Sequence, residues 1–314
     1  MRVLVAGTGR LGTAVLLPLL ESEHEVIGVI QNGRTTRGVR RATRMIQARL
    51  FGGASDVITG AMKNNLPVVW LDTMDDNDLA PLRALDPDLI VTCGFGLILN
   101  RALLDLPAIG CVNVHSSLLP KHRGATPFSH VILSNDSESG VTFHVTNEQI
   151  DAGDILDQTA FPVTPQDTAL TVYRKACDRT QERIVEVIGR IAERGLHGMP
   201  QDAEFAEYDK KFSEKDTEIR WGRPTSTVDR LIRASTARSY ARFKHRGRTV
   251  HLVSAEIDTT PPNASPGTVL ETTPHPVVAT LDGTITIRSA FVSLPLPWTW
   301  PAPWSRLKVG DRLG

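Results

Sequence analysis

The chain has 314 residues, 41% hydrophobic and 22% charged, with 35 Lys plus Arg against 35 Asp plus Glu, so its formal net charge is +0. That length accommodates two domains with ordinary cores, and the balanced charge excludes a globally basic nucleic-acid binder and an acidic solvating chain. Three cysteines (Cys93, Cys111, Cys177) lack C-x-x-C spacing and no apolar run reaches membrane-spanning length, so the expectation is buried thiols in a cytoplasmic protein, with no disulfide framework, signal peptide or membrane span.

Residues 2–6 (RVLVA) form a short apolar run that predicts a buried parallel strand. Gly7-Thr8-Gly9-Arg10-Leu11-Gly12 then matches G-x-G-x-x-G ahead of a helix ending at Leu20. Two readings stand: the phosphate turn of an NAD(P)-binding oxidoreductase or sensor, or a tight strand-to-helix turn that binds no nucleotide. The second strand, residues 26–30, ends in Gln31, Asn32 and Gly33, without the acid that holds the ribose of NAD. Arg34 and Arg37 leave NADP open. Residues 34–49 (RTTRGVRRATRMIQAR) carry Arg34, Arg37, Arg40, Arg41, Arg44 and Arg49 with no acid among them. They read either as a solvated helix face or as a patch for phosphates. Gly52-Gly53 and Asn64-Asn65 bracket a further helical piece. Residues 66–71 (LPVVWL) predict a third strand, 76–85 a short helix stopped by Asp86-Pro87, and 89–93 (LIVTC) a fourth strand. A glycine-bearing loop over 94–99 and a short helix over 101–106 follow.

Residues 109–114 predict another buried strand, interrupted by Asn113 and extended by His115 at a spacing of two. Side chains two apart on a strand share a face. An amide beside an imidazole at a strand end suits an oxyanion and a mobile proton. Residues 141–145 continue the sheet, and the loop beyond them carries Asp151. A carboxylate near a histidine raises its pKa and favours the charged ring.

Taken together, N-V-H-S-S-L-L-P (113–120), R-G-A-T-P (123–127), G-V-T-F-H (140–144) and I-D-A-G-D-I-L (150–156) resemble the folate-dependent formyltransferase family. That family includes methionyl-tRNA formyltransferase, glycinamide ribonucleotide formyltransferase and N-formyltransferases of amino-sugar nucleotides or natural-product amines. The resemblance implies an α/β fold, with a Rossmann-like, mainly parallel sheet in an N-terminal formyltransferase domain and a smaller C-terminal open β-barrel (OB-like) domain. It implies N10-formyltetrahydrofolate as co-substrate and Asn113, His115 and Asp151 as the catalytic set, with no metal. In the family the segment matching Leu97, Ile98 and Leu99 offers main-chain groups to the pteridine, and Leu118, Leu119 and Pro120 form an apolar shelf, with Ser117 as a turn hydroxyl. Ile150, Gly153 and Asp154 complete the implied cofactor-binding set, Asp154 being either a loop brace or a second base. The resemblance also favours the non-nucleotide reading of the Gly7 turn.

The implied acceptor is a small or nucleotide-linked amine, such as an amino sugar or a hydroxylamine of a natural product, because His144 departs from the tRNA enzymes' pattern. The basic stretch 34–49 is the argument for methionyl-tRNA instead. An inactive formyltransferase-like binding module is a third reading, opposed by the intact Asn113, His115, Asp151 set. Homodimerisation is left open.

Residues 128–133 and 167–194 predict helices, the second stopped by Gly195. Residues 198–218 are expected as a linker between a catalytic domain, 1–197, and a second domain, 219–314. Ile219-Arg220-Trp221 and TSTVDRLIRA (225–234) resemble the opening of the family's C-terminal domain, with Thr225 or Ser226 as helix cap. Strands are expected over 241–243, 249–254, 267–270 and 277–287, with turns at Arg246-Gly247, Pro261-Pro262 and Asp282-Gly283. The family's usual P-W-P-G element is replaced by Ser235-Thr236-Ala237-Arg238-Ser239. The tail, 295–304 (PLPWTWPAPW), reads as hydrophobic cover for the barrel or as a partner surface.

Overall fold

The structure is a computed structural model that describes residues 1–34, 36–51, 56–237, 239–293, 299–301 and 307–313. Gly52-Gly53, Arg238 and most of the tryptophan-rich tail lie outside the described residues. No helix among the described residues is long and apolar enough to cross a membrane.

The chain forms two compact units. The first holds a seven-stranded sheet. In chain order its elements are β1 (Arg2–Gly7), α1 (Gly9–Leu20), β2 (Glu25–Asn32), α2 (Val39–Phe51), α3 (Val57–Lys63), β3 (Val68–Leu71), α4 (Asp76–Ala84), β4 (Leu89–Cys93), α5 (Arg101–Leu104) and β5 (Gly110–His115). After α6 (Pro127–Ser134) come β6 (Glu138–Val145), β7 (Ile155–Pro162) and α7 (Ala169–Arg194). The strand order is β3-β2-β1-β4-β5-β6-β7. The first five strands are parallel, and β6 and β7 join antiparallel. Strand alternation splits β1 between two cores. Val3 and Val5 pack with Leu11, Val15 and Leu19 of α1 and with Ile184 and Ile188 of α7, while Leu4 and Ala6 pack with Leu79 and Leu82 of α4. Each fully buried aliphatic side chain contributes about 1.5–3 kcal/mol here. Burial pushes the Cys111 and Cys177 thiols up to about 12, so they remain protonated core residues, in keeping with the sequence expectation.

The glycine turn after β1 is accounted for by packing. A Cβ on Gly7 would stand 2.4 Å from Cys93 Sγ, one on Gly12 2.6 Å from Val57 Cγ2, and Gly9 has φ +60°. The Leu11 amide at the start of α1, which a bound pyrophosphate would engage, donates instead to the Tyr173 hydroxyl at 3.0 Å. Gln31, buried where a ribose-binding acid would stand, donates to Gly7 O at 2.7 Å.

The arginine run 34–49 is less free than its sequence suggests, because acids reach it from other elements. Arg41 forks onto Asp72 at 3.0 and 2.9 Å and lies over the Trp70 ring, Arg37 stands 3.6 Å from the same carboxylate, and Arg44 stands 4.0 Å from Asp56.

The second unit comprises Phe128–Ser137, Val163–Val172 and Lys211–Gly314. This unit thus takes in two stretches from within residues 1–197 as well as the chain beyond 211. Its elements beyond residue 211 are α8 (Thr225–Ala234), β8 (Ala241–His245), β9 (Arg248–Asp258), β10 (Val269–Glu271), β11 (Val277–Ala279), β12 (Thr284–Ser293) and β13 (Thr299–Pro301). They build an antiparallel sheet in the order β10-β11-β12-β9-β8, with β13 on β12, over a core that includes Trp221, Ile232, Phe243, Leu252 and Ile285. Thr225 does not cap α8 as expected. It is the first helical residue, and its amide and hydroxyl both meet Asp282 Oδ1 at 2.8 Å, so a carboxylate from the Asp282-Gly283 turn caps the helix.

Candidate active site

The site grows out of strand register. β4 pairs Thr92 with Asn113, and β6 pairs His144 with Asn113, so three polar side chains meet in one row across the sheet. The Thr92 hydroxyl donates to Asn113 Oδ1 at 2.9 Å. Asn113 Nδ2 donates to His144 Nε2 at 3.0 Å and to Asp151 Oδ1 at 3.2 Å. His144 donates from Nδ1 to its neighbour's carbonyl, Val145 O, at 2.9 Å, which leaves Nε2 as the acceptor. The amide orientation follows, since a flipped Asn113 would turn its oxygen onto Asp151.

His115 lies two residues further on and is buried. Its Nε2 stands 2.9 Å from His122 O; a carbonyl only accepts, so Nε2 carries the proton. Nδ1 therefore holds the lone pair and faces Asp151 Oδ2 at 3.6 Å. The same carboxylate oxygen accepts the Gly124 amide at 2.8 Å. The three residues singled out as catalytic thus converge.

The electrostatics correct one expectation. Burial pushes His115 below the ordinary histidine value, opposed by Asp151, so the resting ring is neutral and not held charged. Burial alone would raise the Asp151 carboxyl. The His115 ring, which is charged at the low pH where Asp151 titrates, and the Gly124 amide outweigh it and hold Asp151 at about 2.

The cofactor-binding candidates are placed as follows. Ser117 is fully buried and donates to Lys121 O at 2.8 Å, the turn role expected of it. The Leu119 amide donates to Thr142 Oγ1 at 3.2 Å, and Gln158 Nε2 donates to Leu119 O at 2.9 Å, so two residues of the antiparallel strands pin the 117–120 segment. Leu118 and Pro120 are half-buried. In the loop after β4, Leu99 is buried, Leu97 half-buried and Ile98 66% exposed; Ile150 is 48% exposed. Gly153 is required by contact, since a Cβ there would fall 1.9 Å from Val145 O. Asp154 braces the loop through its backbone, where Asp154 O accepts the Val145 amide at 2.9 Å. A cleft of about 420 Å³ opens between Arg101, Leu104, Gly110 and Cys111 on one side and Val145, Thr146, Asn147 and Glu148 on the other. It contains none of the residues assigned to the pteridine. One polar atom on its lining residues, Thr146 Oγ1, is buried without a partner.

Residues 1–188 match the family model for formyl transferase, and residues 211–291 match that for the formyl transferase C-terminal domain. The chain belongs to the formyl transferase family. Similar solved structures share its fold. HypX from Aquifex aeolicus in complex with tetrahydrofolic acid is 19% identical, with a TM-score of 0.65 over 98% of this chain and 46% of that one. This chain thus spans about half the length of HypX. WlaRD, a sugar 3N-formyl transferase crystallised in the presence of dTDP and 5-N-formyl-THF, is 20% identical, with a TM-score of 0.67 over 91% of this chain and 97% of that one. An N-formyltransferase from Helicobacter canadensis, in complex with folinic acid and dTDP-3-aminofucose, is 18% identical, with a TM-score of 0.66 over 91% and 98%.

Sequence reasoning missed Thr92, Thr142 and Gln158 as partners of these site residues. Thr92 and Thr142 read as ordinary strand residues, and no local pattern separates them from core threonines. Thr92→Val keeps the side-chain shape and removes the donor to Asn113 Oδ1. It is expected to lower kcat/KM by roughly tenfold if Asn113 takes part in the chemistry, as loss of a hydrogen bond of about 1–1.5 kcal/mol to it requires. Steady-state kinetics beside an unchanged unfolding midpoint check this.

Proposed function

We propose that the protein transfers a formyl group from N10-formyltetrahydrofolate to the amine of a small or nucleotide-linked acceptor, with an amino sugar favoured over methionyl-tRNA. The observation that carries the reading is the convergence of Asn113, His115 and Asp151, within a chain of this family. The acceptor nitrogen attacks the formyl carbon, a C–N bond forms, and a tetrahedral oxyanion develops. His115 Nδ1 takes the proton from the attacking amine, and the imidazolium so formed faces Asp151. Asn113 supplies an N–H to the oxyanion in exchange for the one it lends Asp151. The bond from the formyl carbon to N10 then breaks, and the proton passes to N10, leaving tetrahydrofolate.

The sugar-linked preference is supported by WlaRD and the Helicobacter enzyme, both matched over nearly their whole length. The ion-paired state of Arg37, Arg41 and Arg44 weakens the tRNA alternative. The test is a panel of amino-sugar nucleotides, hydroxylamines, amino acids and methionyl-tRNA incubated with the formyl donor, reading released tetrahydrofolate. Turnover with a sugar-linked amine is expected. Turnover with methionyl-tRNA alone overturns the acceptor class, and no turnover with any amine overturns the reading.

A further inference from the structure

We propose that residues 199–209, expected from sequence as part of a linker, form a strap that belongs to the catalytic apparatus, with Gln201 as the positioning residue that holds Asp151 against His115. The functional meaning of this rests on the formyl-transfer reading; the geometry does not.

The strap starts at the foot of β7, where the Ile155 amide donates to Met199 O at 2.8 Å and the Met199 amide to Ile155 O at 2.9 Å. It then crosses to the loop after β5. The Glu207 amide donates to Pro120 O at 3.1 Å, the Arg123 amide to Glu207 O at 2.8 Å, and the Asp209 amide to Arg123 O at 2.9 Å. Gly124 is needed for this approach, since a Cβ there would stand 2.6 Å from Asp209 O. Asp209 Oδ2 also meets His122 Nδ1 at 2.6 Å, and His122 is the residue whose carbonyl fixes the His115 tautomer.

Gln201 uses its whole amide to join the two catalytic loops. Nε2 donates to Asp151 O at 2.9 Å and to Gly153 O at 2.7 Å. Oε1 accepts from Arg123 Nε at 3.0 Å and Nη2 at 2.7 Å. Arg123 is 6% exposed and spends a further N–H on the Tyr208 hydroxyl at 2.6 Å, with its guanidinium 5.0 Å from the centre of that ring. The next residue, Gly124, donates to the Asp151 carboxylate. Asp151 itself has φ +50°, a left-handed backbone that is strained for a residue with a Cβ unless its surroundings hold it. Gln201 grips the carbonyl of that strained residue and the one two places on. A carboxylate so held can keep its distance to His115 while the proton moves.

Two uncharged substitutions break this clamp. Gln201→Met keeps the length of the side chain but neither of its hydrogen-bonding halves; Gln201→Ala removes the side chain as well. The titratable groups facing His115 are Asp151, which raises its pKa, and the His144 and His122 rings, whose protonation would lower it; Arg123 beyond them keeps its charge in both variants. The readout is the NMR titration of the His115 ring, assigned by its loss in His115→Gln. Both variants are expected to lower the His115 pKa by roughly half a unit or more, since the carboxylate that raises it is released. Made on an Asp151→Asn background, neither should shift it further, because the partner through which Gln201 acts has lost its charge. Titration at the wild-type value in both variants, or an equal shift on either background, overturns the proposal. The titration needs no turnover, so a protein that formylates no amine would sink the functional reading and leave this result standing.

Discussion

Replacement of His115 by alanine is expected to lower kcat/KM by roughly 10²–10⁴-fold, the range for losing a positioned general acid–base group. The His122 carbonyl takes the Nε2 proton, so the free base of the ring is Nδ1, and that atom faces Asp151 at 3.6 Å. His144 Nε2 stands equally far from the other carboxylate oxygen, at 3.6 Å, but already accepts the Asn113 amide. Burial keeps the ring neutral at neutral pH and ready to accept. The limb of the pH–rate profile that belongs to this ring should accordingly lie below the ordinary histidine value of about 6.5. Steady-state kinetics of the wild type and His115→Ala between pH 5 and 9 test both statements. A variant within a few-fold of wild type removes His115 from the chemistry, and a limb at or above the ordinary value contradicts the burial argument.

Asp151→Asn is expected to cost on the order of 10²-fold or more in kcat/KM, because the imidazolium formed during attack loses its facing charge. It should also change acid stability in a defined direction. The folded carboxyl is held at about 2, below the roughly 3.9 of an unfolded chain. A depressed carboxyl contributes stability that is fully present above the unfolded value and is lost as pH falls through the folded one. The contribution is about 2–3 kcal/mol and disappears between about pH 4 and pH 2. Urea unfolding from pH 5 downward should therefore show a steeper acid loss for the wild type than for Asp151→Asn. Parallel curves would mean that the carboxylate is not held as the geometry describes.

Much of the first unit was legible in advance because its strands are buried on both faces and read as continuous apolar runs. Residues 2–6, 26–30, 66–71 and 89–93 all became β1 to β4 within a few residues. The strand β7 was not anticipated. Its exposed edge alternates weakly, ILDQTAFP, so neither periodicity nor composition marks it. The segment 198–218 looked like a linker because it is polar and lacks a period, yet its first half is tied down by hydrogen bonds to two loops. Polarity of sequence cannot distinguish a side chain that meets solvent from one that meets a carbonyl. The same limit applied to the arginines of 34–49, whose acids, Asp72 and Asp56, come from beyond the run.

From its order of residues alone, this protein determined which groups could do chemistry and that Asn113 and His115 share a strand face, because a spacing of two on a pleated strand allows nothing else. It also determined that the turn at Gly7 needs small residues. Only the tertiary structure decided what those groups meet: the register that sets Thr92 and His144 against Asn113, the carbonyl that selects the His115 tautomer, and the strap that grips Asp151. The physical reason is that strand register, desolvation and hydrogen-bond partners arise between residues far apart in the chain. The charge state of His115 shows this most directly, since a neighbouring carboxylate argues for protonation while the burial that overrides it is a property of the folded chain.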